Sequence, residues 1–288
     1  MHISNDGLAT ILILLSAVLH AVVNSLIRGK DGNVLGRSVV AGVVNAGVAP
    51  LAFVLPFPSA TVWLYLAASI VVHLAYQHCL INMYRRADLT VVYPIARGIG
   101  PLGVALWSWG AMSVWPGWGP LAGVSLIVAG IFMMGAASAL RRKTAAGPPM
   151  FAFVFAAGTG VGIAAYTLID AAGVREAESA LSYIVWLFVL HGMMMMSYGL
   201  VVDRKAALAA LRRPPRNGLI AGASSIVTYG LALLALRIGD TAELAALRET
   251  SIVFAMMLGA ILLKERVGPA RIAAALTIAA GAIVIKAA

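Results

Sequence analysis

Hydrophobic runs of about 20 residues follow one another along the whole chain, and that is the length a helix needs to cross the hydrocarbon core of a bilayer. No other feature narrows the fold as much. A helix buried in a soluble core is shorter and keeps one polar face, whereas most of these runs are apolar nearly all round. Only 11% of the residues are charged, against about 25% in soluble domains. The chain reads as an all-α polytopic membrane protein.

Ten spans are expected, at about 7–27, 34–55, 61–83, 89–111, 119–140, 150–171, 181–202, 217–237, 241–263 and 268–286. The longest connection, "DRKAALAALRRPPRN" at 203–217, is too short for a soluble catalytic domain. The first span carries Asp6 and no basic n-region, so it reads as a retained helix rather than a signal peptide. One cysteine, Cys79, excludes an internal disulfide framework and a thiolate metal cluster. "GTGVG" at 158–162 has no lysine after it and lies inside a span, so it is no phosphate loop. No zinc-protease or nucleophile-elbow motif is present. The expectation is a protein that is not an enzyme and has no cofactor and no metal.

The formal net charge of +10 could point to nucleic acid, but its distribution points elsewhere. Sixteen of the 21 Lys and Arg fall in alternate loops: 1–2, 3–4, 5–6, 7–8 and 9–10. Only Arg175, Arg237 and Lys286 fall on the other side, and Arg97 and Arg248 lie inside spans. Basic residues accumulate on the cytoplasmic side of membrane proteins. The split places the five basic loops in the cytoplasm and both termini outside, with a lipid bilayer and no nucleic acid as partner.

A shift of 151 residues lays Arg97 on Arg248, Gly117 on Gly268, Ile127 on Ile278 and Gly130 on Gly281. The segment "LIVAGIFMM" (126–134) then covers "TIAAGAIVI" (277–285). Two five-helix repeats are expected, 1–143 and 144–288, in one integral membrane unit. An odd number of helices per repeat forces the second copy to enter from the opposite face. Ten transmembrane helices in two inverted repeats is an architecture of secondary transporters.

On "ARGIGPLGVAL" (96–106), "LRETSIVFAMMLGAILLKER" (247–266) and "AAALTIAAGAIVI" (273–285), the chain resembles the drug/metabolite transporter superfamily in its EamA-type ten-helix branch. Gly100–Pro101, Glu265 and the small-residue last span carry the likeness; Ile252 stands where a proline matching Pro101 is expected. The resemblance implies export of small metabolites without ATP, amino acids often among them, and a multi-pass protein of a bacterial-type inner membrane.

Arg97 stands near the middle of the fourth span, fenced by Pro94, Gly98, Gly100 and Pro101. A central arginine costs about 2.5–3.5 kcal/mol on insertion scales, so it faces the bundle interior or a wet cavity. Pro101 cannot donate to the carbonyl of Arg97, and the glycines ease deformation of the backbone. Two readings stay open: a kinked helix offering cation and carbonyls to substrate, or an arginine bonded across the bundle. Glu249 follows Arg248 directly; it either meets an arginine of another helix or titrates in proton coupling. Tyr76 and Tyr229 hold similar places in the two halves, and Tyr166 lies in the sixth span. The third span has one stripe of His73, Tyr76, Gln77 and Tyr84, and another of His78 and Asn82. Arg97, Tyr76, His78, Tyr166, Tyr229 and Arg248 are the candidate substrate contacts, and Glu249 the candidate proton-coupling group. Interhelical hydrogen bonding is the competing use of such residues.

The expected function is a secondary transporter exporting small polar metabolites, amino acids foremost, by alternating access through a central cavity. Export of organic cations or drugs is the alternative on the strength of the aromatic residues, and a passive channel is the other. Two cavity arginines count against a cation. The sequence leaves the solute, the coupling ion and the oligomeric state open, a monomer included.

Overall fold

Polar residues at the mouths of the hydrophobic runs start the helices. In the computed structural model, which describes residues 4–26, 33–86, 89–111, 115–141, 150–262, 264 and 267–288, a side-chain oxygen accepts from an otherwise unbonded first-turn N–H at several of them. Asn33 caps α2 (Val34–Ala46) through the Gly36 N–H at 2.8 Å. Asp203 caps α8 (Arg204–Arg212) through Ala206, and Asp240 caps α10 (Thr241–Arg248) through Glu243, both at 2.9 Å. Ser179 does the same for α7 (Ala180–Val202) at 3.3 Å. The remaining helices are α1 (Asn5–Leu26), α3 (Ala60–Arg86), α4 (Leu89–Ala111), α5 (Trp118–Arg141), α6 (Met150–Glu176), α9 (Arg216–Ile238), α11 (Ser251–Leu262) and α12 (Pro269–Ala287).

Each expected span contains a helix, and among the described residues there is no strand. Among the described residues, nine spans are long and apolar enough to cross a membrane. The fourth span, α4, has 23 residues and carries Arg97, Pro94 and Pro101. It is helical from end to end through both prolines. Two other spans are interrupted. The second passes from α2 through Gly47 into a short 3-10 helix, Ala49–Phe53. The ninth breaks between α10 and α11 at Glu249 and Thr250. There the backbone bonds tighten to three-residue spacing, with Glu249 N–H to Ala246 and Thr250 N–H to Leu247. The Thr250 hydroxyl adds a bond to the Leu247 carbonyl at 2.7 Å. The connection 203–217 folds into α8 in place of a plain loop. Arg28, Lys30, Arg142, Lys143, Glu265, Arg266 and the 143/144 repeat boundary lie outside the described residues.

Two compact units divide the chain, and each is interleaved in sequence. The first comprises Met1–Leu74 and Ile169–Gly239. Here α9 packs on α1 and α2, and α2 packs on α7. Small residues allow the approach: a Cβ on Gly222 of α9 would lie 2.8 Å from the Ala41 carbonyl oxygen of α2. Arg175 closes the C-terminal end of α9, donating Nε to the Leu236 carbonyl at 2.9 Å and Nη2 to the Gly239 carbonyl at 2.7 Å. Arg237 reaches the Glu178 carbonyl in return. These two arginines thus serve helix termini, where carbonyls lack partners.

The second unit comprises Ala75–Leu168 and Asp240–Ala288. Its tightest pairing is α5 with α12, crossing at Gly123 and Gly281; a Cβ on Gly281 would lie 2.6 Å from the Gly123 carbonyl oxygen. Such small-residue crossings let backbones meet where lipid supplies no hydrophobic drive for association. Met83, Val92, Ala96, Ala152 and Ala156 form a core beside them. Large apolar side chains such as Leu64 and Val71 on α3 and Leu276 and Ile283 on α12 are exposed, as lipid-facing residues are in a membrane bundle.

Candidate functional site

In the second unit, α4 and the break between α10 and α11 present opposite charges to each other. Arg97 Nε lies 2.7 Å from Glu249 Oε2, and the side chains are only 12% and 6% exposed. Arg97 Nη2 also donates to the Ser251 hydroxyl at 2.7 Å. The ion contact is close but poorly aimed: neither Arg97 Nε nor Glu249 Oε2 has a hydrogen-bond partner in line. Buried polar atoms left in that state are uncommon and call for a reason.

Backbone features place these groups. Pro94 of α4 rests on α5, where a Cβ on Gly135 would meet it at 2.7 Å. Gly98 lies under the Phe132 ring and Gly100 against Ile163, with distances of 2.9 and 2.8 Å for an added Cβ. Both glycines therefore admit neighbouring helices against α4 on either side of Arg97. Across from it, the break in the ninth span puts Glu249 just ahead of the α11 N-terminus and Arg248 in the last turn of α10. Helix dipoles favour an anion at the first place and a cation at the second.

Tyrosines surround the guanidinium. The Tyr93 ring centroid is 5.8 Å from Arg97 Cζ, within cation–π range. Tyr76 and Tyr166 meet edge to face, with centroids 5.3 Å apart, and both stand within electrostatic reach of Arg97. Gly162 gives α6 its close approach to Tyr76.

The structure thus gathers Arg97, Tyr76, Tyr166 and Glu249, with Arg248 adjoining in sequence and within electrostatic reach of Glu249. Glu249 meets an arginine of another helix, Arg97. His78 is exposed, edge-on to Phe155 and in contact with Asn82. Tyr229 belongs to the other unit, where its hydroxyl donates to Asp170 at 2.6 Å. Tyr93 and Ser251 escaped the sequence reading. Tyr93 was visible as the aromatic residue one turn before Arg97; Ser251 has no signal apart from its place after "RET". Asp170 escaped as well. A sixth span ending near residue 171 puts Asp170 at a helix end, whereas α6 continues to Glu176 and encloses it.

Among the described residues no group of three His, Cys, Asp or Glu could hold a metal ion.

Residues 150–287 match the family model described as the EamA-like transporter family. Comparison with curated proteins finds no match. A solved crystal structure of a protein aligns over 97% of this chain and 95% of its own length, at 17% identity and a TM-score of 0.68. At that identity the likeness speaks for the fold alone.

Proposed function

We propose that the chain, whose residues 150–287 match the EamA-like transporter family, is a membrane transporter of the drug/metabolite kind that exports small polar metabolites, zwitterionic amino acids first among them, by alternating access. The buried contact of Arg97 with Glu249 carries this reading. The two side chains are together neutral and poorly aligned, so each can trade its partner for a better one. An amino acid offers a carboxylate that fits the planar fork of Arg97 and an ammonium that fits Glu249. The exchange conserves charge, which lowers the desolvation cost of bringing a zwitterion into the bundle. Tyr76, Tyr93 and Tyr166 supply apolar surface with hydroxyl edges for the side chain of the solute. A lone organic cation gains Glu249 but must leave Arg97 without a counter-charge.

The interrupted ninth span supports the same reading. Transporters build substrate sites from discontinuous helices, whose ends offer polar groups at depth. The two inverted repeats, 1–143 and 144–288, would supply an inner and an outer gate, unequal because Ile252 stands where the second repeat would match Pro101, and the basic loops would face the cytoplasm of a bacterial-type inner membrane.

Counterflow in proteoliposomes tests the proposal. Purified protein in liposomes loaded with one neutral amino acid is expected to accumulate labelled amino acid transiently and saturably. Saturable counterflow of organic cations with none of any amino acid would refute the substrate assignment. Non-saturable flux of both would mean a channel.

A further inference from the structure

The first unit buries a carboxylate that the substrate reading does not use. Asp170 on α6 is fully buried, with 0% exposure. Tyr183 of α7 donates to its Oδ1 at 2.8 Å, and Tyr229 of α9 donates to its Oδ2 at 2.6 Å. The Ser69 hydroxyl of α3 is a third hydrogen-bond partner. Its partners from three helices are neutral hydroxyls. The site is shaped for them: a Cβ on Gly173, three residues along α6, would lie 2.7 Å from the Tyr183 oxygen.

Hydroxyls differ from other donors in a way that matters here. A guanidinium or a backbone N–H can only donate, so it holds a carboxylate in its charged form. A hydroxyl both donates and accepts, and it turns about one bond. With Asp170 ionised, all three hydroxyls donate to it. With Asp170 protonated, its new O–H donates to one of them, which turns to accept. Both forms are bonded without moving a helix. A charged carboxylate in apolar surroundings needs a cation or a proton. A metal ion would sit about 2.3–2.6 Å from each oxygen and spread them apart, and contacts of 2.6 and 2.8 Å leave no such gap.

A path leads away from the carboxylate. His73 Nδ1 lies 3.1 Å from the Ser69 hydroxyl and 3.0 Å from the Ser69 carbonyl. The His73 ring meets His191 of α7 edge-on at 5.4 Å, and Tyr229 at 6.3 Å. His191 Nδ1 lies 3.4 Å from Asn45 Nδ2 on α2, and Asn45 Oδ1 accepts from the Ser225 hydroxyl of α9 at 3.0 Å. Chains of Asp, His and hydroxyl groups inside a membrane span mark proton routes in pumps and transporters. Tyr65 of α3 stands within electrostatic reach of Tyr183, and Arg175, five residues beyond Asp170 on α6, is held on the carbonyls ending α9.

We propose that Asp170 binds the coupling proton of the transport cycle, with Ser69 and His73 relaying it. One proton bonds to an Asp170 oxygen and leaves from it again in each cycle. Its link to export rests on the transport function proposed above; its proton binding does not.

Two measurements on the whole protein separate those parts. In the first, purified protein in weakly buffered detergent is shifted from mildly alkaline to mildly acidic pH. Wild type is expected to take up one proton per chain more than Asp170→Asn, a variant of nearly the same size that keeps hydrogen-bonding capacity toward the hydroxyls. Equal uptake overturns the proposal whatever the substrate. In the second, a pH gradient is imposed across proteoliposomes and amino-acid accumulation is followed beside counterflow. Wild type is expected to accumulate substrate; Asp170→Asn should fall to the level of empty liposomes while counterflow persists, and Asp170→Glu should regain part of the drive. Gradient-driven accumulation by Asp170→Asn, or accumulation by wild type under a sodium gradient alone, overturns the coupling role. Failure of counterflow in wild type with the extra proton still bound would sink the substrate reading and leave Asp170 as a proton site. Should Asp170→Asn not fold, the proton difference is read between wild type and Asp170→Glu against Tyr229→Phe, and a titration indifferent to both changes rejects the site.

Discussion

Replacing Glu249 with glutamine keeps the side-chain volume and strands the Arg97 guanidinium without its counter-charge. At the observed 2.7 Å, Coulomb attraction with an effective dielectric of about 20 is about 6 kcal/mol. Part of that is spent on desolvation, and breaking a buried pair by removing one partner costs about 3–5 kcal/mol. Ser251 stays bonded to Nη2 and holds the loss toward the lower end. For a chain of this size each kcal/mol lowers the melting temperature by about 2 °C, so the variant should melt about 6–10 °C below wild type. The double variant Arg97→Leu with Glu249→Leu removes both charges and is expected to recover most of that loss, because a hydrophobic replacement of a buried pair is often neutral. Thermal unfolding in detergent, followed by intrinsic fluorescence, measures all three proteins. A Glu249→Gln protein that melts with wild type, or a double variant no more stable than the single one, would show that the two charges are not coupled.

Arg97→Lys keeps the charge and loses the fork, so it should lower counterflow far more than it lowers melting temperature; Arg97→Leu should insert and show no counterflow, and full activity in it would remove Arg97 from the site. In a protein freed of Cys79, a cysteine at Ala209 should react with an impermeant reagent only from the cytoplasmic side and one at Ser59 only from outside; the reverse pattern inverts the topology. Gly222→Leu drives a side chain into the Ala41 backbone of α2, and overpacking of this kind costs about 1–3 kcal/mol or more; unchanged melting would mean that the α2–α9 crossing is looser than the distances say.

The helices were legible because lipid imposes one rule on every span: about 20 apolar residues with all backbone groups bonded. Arg97 was legible for the complementary reason, since a charge inside such a run must have company. What company it keeps was not. Its partner Glu249 lies far along the chain, and no local pattern ties the two together. The two prolines drew attention to the fourth span, yet α4 is helical throughout and the interruption falls in the ninth, where no proline stands. Thr250 explains why: its hydroxyl takes the Leu247 carbonyl, a substitution that sequence periodicity does not register. Asp170 was obscured by a boundary a few residues short, enough to turn an intramembrane carboxylate into an apparent surface one. The division into interleaved compact units is a property of contacts and has no signature in composition.

The distance in sequence between α4 and its partners bears on how the protein is made. Ser251 is 154 residues beyond Arg97, and ribosomes add roughly 5–20 residues each second. The fourth span therefore emerges and meets the membrane roughly 8–30 s before the groups that satisfy its arginine exist. During that interval the guanidinium of α4 has to be accommodated by neighbouring helices or by the insertion machinery. A ribosome that pauses or terminates between the fourth and ninth spans would leave behind a half-built protein with an exposed intramembrane charge, a form that quality-control proteases can recognise.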